Sequence, residues 1–108
     1  MSISVAGPIS AYLNAKNERD VDAMMAQFDD HACVKDEGHE HDGLPAIRSW
    51  LEGVTRKFSV AVDVQDVTDS SGRTIVSAIV SGDFPGSPVP LNFTFTLSGS
   101  KIARLEMG

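Results

Sequence analysis

The chain has 108 residues, enough for one hydrophobic core and too few for two. Its 42% hydrophobic and 22% charged residues form an ordinary globular balance that argues against disorder. A net charge of −6 repels phosphate backbones and gives no basic patch to an anionic membrane, so neither nucleic acid nor membrane is expected as a partner.

The first basic residue is Lys16 and no long apolar run precedes it, so a secretory leader is not expected. No stretch reaches the ~20 apolar residues of a membrane helix. Cys33 is the single cysteine, which rules out an intrachain disulfide. A cytoplasmic protein is the default expectation.

In chain order, Pro8 suits a helix start, and Ile9, Tyr12 and Leu13 supply an apolar face. Asn17–Asp20 is a polar break, with Asp20 placed to cap a second helix. Val21, Met24, Met25 and Phe28 recur at three- and four-residue spacing, which predicts a short helix ending at Asp29–His31. Ala32, Val34 and Asp36 then alternate with Cys33 and Lys35 as a short strand. Gly38 allows a turn, and His39–Asp42 returns as a second strand. Gly43 and Pro45 open a third helix whose stripe is Ile47, Trp50, Leu51, Val54 and Phe58.

Beyond Ser59 the period changes to two. Val60, Val62 and Val64 alternate with small or polar residues, and Ser70–Gly72 turns into a long strand over Thr74–Gly82. Asp83–Pro88 carries two prolines and a glycine, so it is not regular ladder. Leu91, Phe93, Phe95 and Leu97 alternate with Asn92, Thr94 and Thr96. Lys101–Met107 closes the sheet. The fold class is α+β: a curved antiparallel or mixed sheet wrapped around three helices, with a concavity suited to a small ligand.

Several segments together resemble the nuclear transport factor 2-like superfamily, and within it the SnoaL-like polyketide cyclase and ketosteroid isomerase-like relatives. They are Tyr12–Phe28, the Phe28-Asp29-Asp30-His31-Ala32 step, Gly43-Leu44-Pro45-Ala46-Ile47-Arg48 and Lys101–Leu105. The resemblance covers nearly the whole chain as one domain, and Ser81–Pro88, with Asp36-Glu37-Gly38 and His41, is similar to a bacterial subgroup. It implies a cone-shaped, cystatin-like fold and leaves activity open, because such folds host many chemistries. The isomerases of this superfamily use a strand aspartate as base, with a helix tyrosine and a protonated aspartic acid holding the enolate oxygen. The resemblance places Tyr12 and Asp36 at the first two positions. Counting back from Lys101 puts Asn92 at the third, whereas alternation turns Asn92 away from the core. A one-residue bulge near Pro88–Pro90 would decide between the two.

Asp36 continues the alternation of Ala32 and Val34, so it is expected to face the concavity, partly desolvated, as a general base. The alternative is a turn-capping aspartate. Tyr12 is either a donor to a substrate oxygen or a core tyrosine with a satisfied hydroxyl. His39 and His41 share a strand face, but their spacing matches no specific metal motif, so no metal is expected. His41 is instead a candidate proton-transfer partner of Asp36. Trp50, Phe28, Val34, Phe58, Phe93 and Phe84 are the expected ligand-contacting wall, with Phe84–Pro88 either a flap or a sheet bulge. Arg48 reads as an anion binder or an ion-pairing surface residue. Cys33 should face away from Asp36 and be structural. Neither a phosphate loop nor a nucleophile elbow is present, so no cofactor is expected.

Three functions remain open: a cofactor-independent isomerase or cyclase acting on a small apolar carbonyl compound, a non-catalytic binder of a small apolar molecule, and a homodimerising interaction domain.

Overall fold

The structure is a computed structural model that describes residues 7–107. Its elements run α1 (Gly7–Asn17), α2 (Val21–Met25), β1 (Phe28–Asp36), β2 (His39–Asp42), α3 (Leu44–Lys57), β3 (Val60–Ser70), β4 (Arg73–Gly82), β5 (Val89–Ser98) and β6 (Lys101–Met107). The strands form one open sheet in the order β2-β1-β6-β5-β4-β3. β1 pairs parallel to β6, and every other neighbouring pair is antiparallel. No helix among the described residues is long and apolar enough to cross a membrane.

Local chemistry sets the breaks. α1 ends with Arg19 in the left-handed region at φ 59°. Asp20 N–H donates to Ala15 O at 2.9 Å and Arg19 N–H to Lys16 O at 3.1 Å, a paired closure that satisfies the last carbonyls of the helix. The expected cap of α2 is present, since Asp20 Oδ1 accepts from Ala23 N–H at 3.0 Å. The two-residue turn Glu37-Gly38 has positive φ at both positions, which matches the twist of a tight hairpin and sets Asp36 opposite His39.

The second helix differs from the sequence expectation. It ends at Met25, and Phe28–His31 belong to β1. The reason is long-range: Ile102 N–H donates to Gln27 O at 2.7 Å, and Phe28 pairs with Ile102, so β6 draws the chain into the sheet before another helical turn forms. Phe58 likewise falls just beyond α3, as its extended C-cap.

The helices pack on one face of the sheet, and the core lies between. Ile9, Tyr12, Met24, Ile47 and Leu51 meet Val34, Val76, Phe93, Phe95, Ile102 and Leu105, all essentially without exposure. Burying such side chains is worth about 1.5–3 kcal/mol each before entropy is counted. The edge strand β3 is tied to α1 by Asn17. Its Nδ2 donates to Val62 O at 3.1 Å, and its Oδ1 accepts from Val62 N–H at 2.7 Å. Thus one side chain satisfies two edge groups of β3 and fixes the end of α1 against the sheet. Asn17→Ala should therefore lower stability by about 1–2 kcal/mol, read as a lower urea midpoint. An unchanged midpoint would show that water replaces the tether without cost.

Candidate functional site

A cavity of about 800 Å³ opens between α3 and the inner face of the sheet. Its wall takes Lys16 from α1, Asp36 from β1, His39 and His41 from β2, Trp50 and Val54 from α3, Leu91 and Phe93 from β5 and Met107 from β6. Phe84 and Pro85 from the β4–β5 connection also line it, and Phe84 meets Phe58 edge to face at 6.0 Å.

Asp36 is half-buried at the end of β1, on the same face as Val34. Its Oδ2 accepts a hydrogen bond from Trp50 Nε1 at 3.1 Å. The Trp50 ring in turn stacks on His41, with centroids 5.5 Å apart and 25° between planes. The register explains the grouping. His39 lies opposite Asp36 and His41 opposite Val34, so both imidazoles share the carboxylate's face. One carboxylate oxygen is thereby fixed, while the other has no hydrogen-bond partner among the described residues.

Tyr12 has no exposure and packs edge to face against Phe28 and Phe95, at 5.5 and 5.9 Å. Among the described residues its hydroxyl has no hydrogen-bond partner. Burial, and then the Asp36 carboxylate, push it well above the ordinary phenol range, so it remains a donor. It sits behind the wall and does not line the cavity.

One turn later on the same helix face, Lys16 does line it. This residue is only 8% exposed, and its Nζ lies 6.0 Å from the centre of the Trp50 ring. Sequence reasoning missed it. The available signal was its position in the Ile9, Tyr12, Leu13, Lys16 stripe, where a surface lysine does not belong.

Of the expected wall, the structure brings Trp50, Phe58, Phe84 and Phe93 to the cavity, while Phe28 and Val34 lie in the core beneath it. Asn92 faces outward: it is exposed, and its Oδ1 accepts from Ser77 Oγ at 3.0 Å. The β4–β5 register runs unbroken from Val80–Val89 to Arg73–Thr96, so no bulge near Pro90 reverses it. Leu91 and Phe93 stand on the inner face instead, and the third polar position is filled by hydrocarbon.

Arg48 pairs with Asp22 at 2.9 Å, outside the cavity. Cys33 also points away from it. Arg104 Nη1 donates to its Sγ at 3.3 Å, and burial, with the nearby Asp42, pushes the thiol up to about 11. Among the described residues no cluster of three or more His, Cys, Asp or Glu is placed to hold a metal. What the cavity assembles is one oriented carboxylate, a buried amine and a stacked imidazole inside a largely apolar wall, a set able to move protons.

The fold has counterparts. Residues 9–105 match the SnoaL-like domain. A candidate polyketide cyclase from Sinorhizobium meliloti superposes with a TM-score of 0.91 at 36% identity, covering 96% of this chain and 95% of that one. A candidate polyketide cyclase from Pseudomonas putida, at 20% identity, has the same fold with a TM-score of 0.82 over 99% of this chain and 92% of its own. So does a Catenulispora acidiphila protein of ketosteroid isomerase-like fold in complex with trimethylamine, at 16% identity and a TM-score of 0.84 over 97% of this chain and 86% of its own. No curated protein matches. With a family match running from α1 to β6 and a 36%-identical structure that superposes along nearly its full length, the chain belongs to the SnoaL-like family.

Proposed function

We propose that this protein is a cofactor-independent isomerase or cyclase that moves a proton next to the carbonyl of a small, largely apolar substrate. The observation that carries the reading is the Asp36 carboxylate on the wall of an apolar cavity, held by Trp50 Nε1 at 3.1 Å with its second oxygen open. A base anchored through one oxygen presents the other in a fixed direction, which is what α-proton abstraction requires. His41, fixed against Trp50, is the partner for returning the proton. The Tyr12 hydroxyl, without a hydrogen-bond partner among the described residues, becomes a donor to the substrate's carbonyl oxygen when the side chains that separate it from the cavity shift on binding.

A thermal shift with apolar ketones, enones and aromatic polyketide-like acids comes first. A bound compound at ~100 times its Kd adds about 2.7 kcal/mol, on the order of ten degrees for a domain this size. With that compound, Asp36→Asn should lose several orders of magnitude in turnover and keep its fold. A loss below about tenfold, or ~1.4 kcal/mol, would leave a ligand-binding role in place of catalysis. Tyr12→Phe separates two roles of one hydroxyl. Because it removes a buried hydroxyl with no partner among the described residues, stability should stay level or rise by about 1 kcal/mol while turnover falls. Unchanged turnover would make Tyr12 a packing residue.

A second copy is the proposed partner of the sheet's outer face. Ile75, Ile79 and Thr94 lie there half-buried on β4 and β5, opposite the face that carries Val76 and Phe93, and no described element covers them. A self-complementary face built around such a patch forms a two-fold dimer. Light scattering should give twice the monomer mass, and Ile79→Lys should return the monomer. A monomeric wild type would end this reading and leave the cavity chemistry untouched.

A further inference from the structure

Proton transfer through Asp36 leaves the amine of Lys16 without a role. Lysines on a protein surface extend their amine into water. This one enters a cavity instead, 8% exposed, beside the Trp50 ring and the Asp36 charge. Among the described residues it forms no ion pair, and the four ion pairs present are all made by Arg48 and Arg104. The same helical stripe puts Tyr12 one turn earlier, so an amine and a hydroxyl donor come from one face of α1.

We infer that Lys16 is a nucleophilic amine that forms an imine with an aldehyde or ketone bound in the cavity. Burial supports this chemistry by pushing the amine below the ordinary lysine range, against the opposing effect of Asp36, which raises the fraction carrying a free lone pair. Neutral Nζ adds to the carbonyl carbon as the C=O π bond breaks. The nitrogen then loses a proton and the oxygen gains one, giving a carbinolamine. A further proton lets the hydroxyl leave as water, while the nitrogen lone pair closes the C=N bond. An amine, a carbonyl and one proton thus become an iminium ion and water, with no oxidant or reductant. Asp36 is the carboxylate whose charge reaches Lys16, and it carries the proton from nitrogen to oxygen.

The inference rests on the proposed function only for the carbonyl class of substrate. Its test uses the wild-type protein, benzaldehyde as the probe and sodium cyanoborohydride to reduce the imine at neutral pH, followed by peptide mapping of the lysines. Lys35 and Lys101 are exposed away from the cavity and Lys57 is exposed on its wall, so simple accessibility predicts that all three react first and Lys16 last. The imine role predicts the reverse order, with at least about tenfold more adduct on Lys16 than on any of the three. Adduct on the exposed lysines without Lys16, or on none, overturns it. Turnover of Asp36→Asn reads the base separately. Labelling of Lys16 beside a fully active Asp36→Asn would keep the imine and remove Asp36 both as base and as its proton carrier, whereas no labelling beside an inactive Asp36→Asn would keep the base and remove the imine.

Discussion

The parallel pairing of β1 with β6 is the constraint on which the rest of this molecule depends. It joins the β1–β2 hairpin to the β3–β6 meander in one sheet, and it sets Val34 beside Leu105 and Asp36 beside Met107. Asp36 thereby ends its strand at the rim of the helix-covered face, where the core gives way to the cavity. Trp50 reaches it because α3 crosses this hairpin, and the indole bond then locks helix to strand at the site. A sheet made only of the antiparallel meander would leave β1 and its carboxylate without a fixed place.

Local pattern made much of this legible. The period-two runs of β4 and β5, the hairpin glycines and the Asp20 cap follow from short-range sterics and hydrogen bonding, and they lie where the residues imply. The strand order did not follow, because alternation says which face a residue takes and nothing about which strand lies beside it. The same limit explains Phe28. Its spacing from Met24 and Met25 fits a helix, and a partner 74 positions away in sequence, Ile102, makes it strand. Tertiary pairing overrode a weak local preference.

The site was half legible for a related reason. Asp36 and the pocket-facing histidines follow from alternation, whereas the Trp50–Asp36 bond depends on how α3 docks, which no spacing encodes. Lys16 was passed over because its residue type outweighed its position. The helical stripe is the better guide, since a lysine has four methylenes to bury and carries its charge wherever its helix face turns.

Outward-facing Asn92 has a consequence for the chemistry. In ketosteroid isomerase a protonated aspartic acid shares the charge of the enolate oxygen; here Leu91 and Phe93 line the inner face while Asn92 turns outward. An enolate formed by Asp36 would hold a full negative charge beside a largely apolar wall without that acid. Burying such a charge is costly. Through a Lys16 iminium the balance changes sign. The starting pair is a carboxylate and a cation; after the α-proton moves, it is a neutral acid and a neutral enamine. Two opposite charges vanish inside the cavity, and none has to be created. A site that lacks the third acid but holds a buried amine on the same cavity wall as the proposed base is therefore better matched to the iminium route than to a bare enolate.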